Sequence, residues 1–214
     1  MKNKSVPEVL EKIKLEMRKY SDRVLKVVGV HIDNSFNTET FKQSLEGAIF
    51  VPYATNEHVA IADREIRTLK ERVRSILVSL PYKRITNMML DILVVGSIKL
   101  KNRLPKHTDL TKTILPAAIV EGKGKLNFIK KRVRFGAYCE VWVKTKNNME
   151  ARSMPAIELD RSNDQGAYYF MSILTGQRLH SRWWNEKPVS DEVIAQVEKL
   201  ADKNVLNEKL MEEL

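Results

Sequence analysis

The stretch at residues 57–80, EHVAIADREIRTLKERVRSILVSL, decides how the rest of the chain is read. Ala62, Ile66, Leu69, Val73, Ile76 and Leu80 recur at steps of four and three, the period that lines side chains along one face of an α-helix. Asp63, Arg67, Lys70 and Arg74 recur at the same steps on the flank. The helix is therefore expected to carry a basic stripe with one carboxylate at its mouth. Pro81 stops it, because the ring lacks an N–H and clashes with the preceding turn. At 1.5 Å per residue such a helix would be about 36 Å long. A second helix over about 85–102, with Ile85, Met89, Ile92, Leu93, Val95 and Ile98 on its apolar side, is expected to pack on the first.

Upstream, residues 7–20 place Val9, Leu10, Ile13 and Met17 at helical spacing, with Pro7 in the first turn. Residues 23–32 (RVLKVVGVHI) read as a strand ending at Asp33. Asn37 or Thr38 would cap a short helix through Leu45, Gly47 would close it, and residues 48–51 read as another short strand. Downstream, 108–134 reads as a loop-rich connection with one apolar piece at 114–120. Beyond Val133 the pattern changes to strands: FGAYCEVWV, MPAIEL, AYYFMSIL and QRLHSRWW. Gly166 and the pair Thr175-Gly176 mark turns and make 167–183 a hairpin. A final amphipathic helix is expected over about 189–201.

Composition narrows the function classes. With 43% hydrophobic and 30% charged residues among 214, wholesale disorder is not expected. A single cysteine, Cys139, excludes an internal disulfide and a Cys-based zinc site and points to a reducing compartment. The apolar run Met88–Ile98 is interrupted by Asp91 and too short to span a bilayer. Residues 1–20 hold no signal-peptide core, so a nuclear or cytoplasmic location is expected, without secretion or membrane association. The net charge of +10 is uneven. Lys101–Arg134 has ten basic and two acidic residues, and Arg64–Arg84 has seven and two. Asn185–Leu214 has four basic and eight acidic. Two basic clusters point to a polyanion, with nucleic acid as the leading partner.

Several motifs come in a specific order. HIDN (31–34) is followed by Pro52-Tyr53, Glu57-His58, and then Ala62-Asp63-Arg64-Glu65-Ile66-Arg67-Thr68-Leu69. This arrangement resembles the second half of the catalytic core of retroelement integrases, particularly copia-type retrotransposon polyproteins, where a motif like A-E-R-x-x-R-T-L opens the long helix. Residues 166–184, GAYYFMSILTGQRLHSRWW, resemble the hairpin that follows the integrase core in the same polyproteins. The resemblance covers roughly residues 23–200. It implies an α/β, partial ribonuclease-H-like core with long helices, then a small all-β barrel of the Src-homology type and a C-terminal helix. The boundaries that follow are 1–104 for a truncated core, 105–131 for a basic linker, 132–186 for the barrel and 187–214 for a helical tail.

The resemblance also implies an ancestral activity, Mg²⁺-dependent DNA strand transfer during DNA integration by a transposable element. Two cations, Mg²⁺ or Mn²⁺, are held there by three acidic residues and stabilise the attacking and leaving oxygens. By the carry-over, Asp33 matches the second acid and Asp63 the third, as catalytic and metal-binding residues. Arg67, Lys70 and Arg74 would contact phosphates of duplex DNA, as would Lys123, Lys125, Lys130, Lys131 and Arg132. Two departures bear on catalysis. Asp63 stands where the family pattern has Glu, which draws the carboxylate back by about 1.5 Å against metal–oxygen distances near 2.0–2.1 Å. Upstream of Asp33 the only Asp is Asp22, too near to serve as the first acid, so the opening strands of the core are expected to be missing and the chain as given is expected not to perform strand transfer.

Each residue also has a plainer reading. Asp33 would cap a turn, Glu57 would favour a helix N-terminus, and Glu65 points away from Asp63. His58 has no Cys or His partner at ligand spacing. GKGK at 122–125 lacks the P-loop frame and reads as a basic turn on DNA backbone. Tyr168, Tyr169, Phe170, Trp183 and Trp184 read first as barrel core and second as base-stacking groups, and Cys139 as inert core. Two non-catalytic readings stand beside the integrase one: a nucleic-acid-binding module, and a protein-interaction scaffold whose acidic C-terminal helix docks a partner or neutralises the basic patch in cis. Self-association is left open.

Overall fold

The computed structural model describes residues 6–33, 36, 38–45, 47–53, 60–103, 116–121, 133–145, 147, 149–162 and 166–203. The expectations placed on His58, Glu57 and the 122–132 basic run lie outside these residues. The chain divides into two compact units, 1–68 with 102–125 and 69–101 with 126–214. It combines helices with a five-stranded antiparallel sheet in a mixed α/β architecture.

In the first unit, α1 (Val6–Ser21) presents Val9, Leu10, Ile13 and Met17 to a small core of Ile32, Phe41 and Leu45. The chain then turns at 22–24, where Val24 takes φ +59° and is 97% exposed. A β-branched residue in the left-handed region breaks the extended run. The strand expected over 23–32 is accordingly only β1 (Gly29–Asp33). Thr38 caps α2 (Glu39–Ser44), its hydroxyl accepting from the Phe41 N–H at 3.3 Å. The helix closes at Leu45, and Gly47, at φ +86°, turns the chain two residues later instead of capping it. β2 (Ile49–Tyr53) pairs parallel with β1, Asp33 opposite Tyr53. Parallel pairing needs a crossover, and α2 supplies it. A short helix, α5 (Pro116–Glu121), lies beside α1.

The long helix, α3 (Ala60–Ser79), runs from the first unit into the second. In the second unit its Val73 is buried, with Leu69, Ile76, Leu77 and Leu80 half-buried beside it. They share one core with Met89, Leu90 and Leu93 of α4 (Asn87–Asn102). The same core takes Ile157 and Leu159 from β4 (Ser153–Arg161), Met171 from β5 (Tyr168–Ser172) and the adjoining Ile173. Val193, Val197 and Leu200 of α6 (Asp191–Asp202) complete it. Residues 69–101, read from sequence as part of the first domain, thus bury their apolar face with the sheet. The C-terminal helix, read as a tail, is part of this core.

The sheet has strand order β6-β5-β4-β3-β7, with β3 at Tyr138–Trp142, β6 at Arg178–Ser181 and β7 at Trp184–Glu186. Its period-2 alternation sends one set of side chains to the helices. The other set forms a second core of Val133, Cys139, Val141, Ala156, Tyr168 and Phe170. The edge strands β6 and β7 are joined by residues 182–183 alone. Four strand spacings would set them about 19 Å apart in a flat sheet, whereas three Cα steps reach at most about 11 Å. The sheet is therefore strongly curled. Ser181 at the end of β6 closes the gap, its Oγ 3.0 Å from the carbonyl oxygen of Trp142 on β3.

The turn between α3 and α4 is tied to this sheet at a distance in sequence. Tyr82, 4% exposed, donates its hydroxyl to the Gly136 carbonyl at 3.0 Å. Gly136 sits at φ +82°, and its N–H donates to the Glu158 carbonyl at 3.0 Å. A Cβ there would lie 2.5 Å from Leu80 Cδ2, so both conformation and space favour glycine.

Candidate nucleic-acid interface

The described residues that the sequence singled out for the site lie on two elements, β1 and α3. Asp33 ends β1, at the C-terminal edge of a parallel pair, and is described by its backbone alone. Asp63 lies in the first turn of α3 and is exposed. Along α3 itself, Asp63, Arg67, Lys70 and Arg74 fall within about 60° of one another around the helix axis, some 120° from the row of Leu69, Val73 and Ile76. Arg67 and Arg74 are exposed and Lys70 is half-buried. At the N-terminal end the apolar row is not covered: Ala62 is exposed and Ile66 is 51% exposed. Lys123, Lys125, Lys130, Lys131 and Arg132 lie outside the described residues.

The second basic cluster ends at the turn after α3, where the acidic C-terminal helix meets it. Arg84 Nη1 lies 2.6 Å from Asp202 and Nη2 3.8 Å from Glu198, while Glu198 also accepts the Lys83 backbone N–H at 2.9 Å. Part of the cluster's charge is thereby neutralised within the chain at Arg84.

A metal requires converging donors. Among the described residues, no three His, Cys, Asp or Glu side chains are grouped as a cation would need. These residues by themselves do not assemble the donor set of a two-metal centre. No helix among them is long and apolar enough to cross a membrane.

The aromatic residues separate into core and surface. Tyr168 and Phe170 are buried, and Trp184 packs edge-on against Tyr168 at 5.5 Å. Tyr169 is covered by His180 at 4.9 Å and by the Arg178 guanidinium at 5.0 Å. Trp183 stands out at 73% exposure, and so does Trp142 at 57%. Trp142 was not singled out from sequence, although alternation in YCEVW gave the signal: Cys139 and Val141 point inward, so Trp142 points out. Cys139 is fully buried. Burial first, then the carboxylates of Glu186 and Glu158, push its thiol up to about 12, which keeps it protonated and unreactive at neutral pH. The chain matches no family model and no curated protein.

Proposed function

We propose that the chain binds duplex nucleic acid, as a retroelement-integrase-type segment in which a ribonuclease-H-like remnant precedes a small barrel of the Src-homology type. The observation that carries this reading is the α3 stripe, where Arg67, Lys70 and Arg74 share one flank of a 20-residue helix. Its spacing suits a helix lying along a phosphate backbone, and residues 101–134 carry a further +8 excess of charge in sequence. The curled five-stranded sheet, whose edges meet at Ser181, is what supports the barrel assignment. Strand transfer with Mg²⁺ or Mn²⁺ at Asp33 and Asp63 is the ancestral activity that the resemblance implies. Binding without catalysis is the function that these residues support.

The test is duplex affinity as a function of salt. Three phosphate contacts give a log–log slope of about −2.7, or a loss of about 40-fold between about 50 and 200 mM salt. Replacing Arg67, Lys70 and Arg74 by Ala is expected to lower affinity and to reduce the slope by nearly that amount, while Asp33→Asn leaves both unchanged. Salt-independent affinity, or a triple variant that binds like the wild type, would refute the proposal. The contact of Arg84 with Glu198 and Asp202 favours a second, narrower reading, in which α6 limits binding at the far end of the cluster by neutralising it in cis.

A further inference from the structure

Trp183 and Trp184 are adjacent in sequence, yet the structure separates them. Val141 pairs with Trp184 in the antiparallel β3–β7 ladder, so the next pair along is Trp142 with Trp183. The Trp142 N–H donates to the Trp183 carbonyl at 3.0 Å. Directly opposed residues project to the same face, and successive pairs alternate between faces. Val141 is fully buried and Trp184 packs beside it, which places Trp142 and Trp183 together on the outer face, 57% and 73% exposed. Two large indoles left in solvent at paired positions on one face call for a ligand with planar apolar surface.

The backbone beneath them is held firmly. Ser181 Oγ lies 3.0 Å from the carbonyl oxygens of both Trp142 and Trp183, and it accepts the Trp183 N–H at 3.2 Å. Ser181 is itself 9% exposed, so this corner is fixed before any ligand arrives. One exposed cation, Lys144, follows Trp142 by two residues and so shares its face, whereas Arg182, next to Trp183, and Arg152, across from Val143 through a 3.0 Å backbone bond, alternate to the other face. The one carboxylate on the outer side of β3, Glu140, faces Lys187 at 3.9 Å.

We infer that Trp142 and Trp183 form a stacking platform for unpaired nucleobases, with Lys144 placed to meet a phosphate beside them. Aromatic faces accept any base because every base has a π-face, and neighbouring cations track the backbone. A duplex hides its base faces in its own stack, so the platform selects single strands or frayed ends. The inference rests on the nucleic-acid reading above but concerns a different surface and a different form of the ligand.

The experiment uses the full chain, whose three tryptophans are Trp142, Trp183 and Trp184. A thymidine oligonucleotide and a duplex of equal length are titrated in turn, following tryptophan fluorescence and oligonucleotide anisotropy. The single strand is expected to quench fluorescence. Trp142→Ala and Trp183→Ala are each expected to weaken single-strand binding by about 5- to 150-fold. Duplex affinity is expected to hold within about twofold, and Trp183→Phe to recover part of the loss. Both positions are on the surface, so unchanged circular dichroism and melting temperature accompany these results. Single-strand affinity unaltered in both Ala variants, or an equal loss on duplex, overturns the platform while leaving salt-dependent duplex binding standing. Failure of the wild type to bind either ligand overturns both readings.

Discussion

Removing one oxygen tests how the helical turn is held to the sheet. In Tyr82→Phe the ring keeps its place in the core, but the Gly136 carbonyl loses a donor at 3.0 Å. Tyr82 is 4% exposed and Gly136 is buried, so water does not readily replace the lost partner. Leaving a buried acceptor unsatisfied costs about 1–3 kcal/mol, and a neutral hydroxyl donor belongs at the lower end, about 1–2 kcal/mol. At about 2–4 °C per kcal/mol for a protein of this size, the melting temperature falls by about 2–8 °C. Calorimetry together with urea unfolding reads the change. Gly136→Ala approaches the same link from the other side: an alanine at φ +82° costs about 1–2 kcal/mol, and its Cβ must displace Leu80 Cδ2 from 2.5 Å. Because the two changes disrupt one hydrogen bond, the double variant is expected to lose less than the sum, with a coupling above about 0.5 kcal/mol. Tyr20→Phe, on the exposed side of α1, is the control, with a change within about 0.5 kcal/mol. A Tyr82→Phe protein as stable as the wild type, or full additivity with Gly136→Ala, would sink the argument that this bond locks the turn.

Cys139 makes stability fall in alkali. Its folded thiol sits at about 12, and the unfolded thiol titrates near ~8.5, so between these values the unfolded chain releases a proton that the native state keeps. The contribution is complete below ~8.5 and is lost as pH rises toward about 12. Cys139→Val is expected to flatten the alkaline arm of the stability–pH curve in urea unfolding, and identical arms would exclude the thiol as a cause. Arg84→Ala removes ion pairs to Asp202 and Glu198 from a side chain that is 51% exposed, so a loss below about 1 kcal/mol is expected, shrinking further in salt. A loss above about 2 kcal/mol in thermal unfolding would contradict a solvent-screened pair. Removal of residues 187–214, by contrast, takes Val193, Val197 and Leu200 out of the core, and limited proteolysis is expected to find the shortened chain unfolded in the sheet-containing unit. A protease-resistant, cooperatively melting shortened chain would show that α6 is dispensable.

Local pattern carried much of the architecture. The 3.6-residue period of α1, α3, α4 and α6, the Thr38 cap, the hairpin turning at Gly176 and the strand alternation of β3 to β6 were all legible, because each depends on neighbours within a turn or a two-residue repeat. The same alternation makes Cys139 a core residue. The shortening of β1 was not legible, since nothing local in RVLKVVGVHI marks Val24 for a left-handed backbone.

For the candidate site, the sequence alone determined the charge of each cluster and the α3 stripe, because helical geometry sets which side chains share a flank. Tertiary structure decided what surrounds them. It placed the acidic helix on Arg84, drew α6 into the core it was expected to trail behind, and curled the sheet until Ser181 reached Trp142. It also turned two adjacent tryptophans apart, one into the core and one beside a partner 41 residues away. Pairing register and edge closure are contacts between distant segments, fixed by how whole apolar faces fit together, and no local period encodes them.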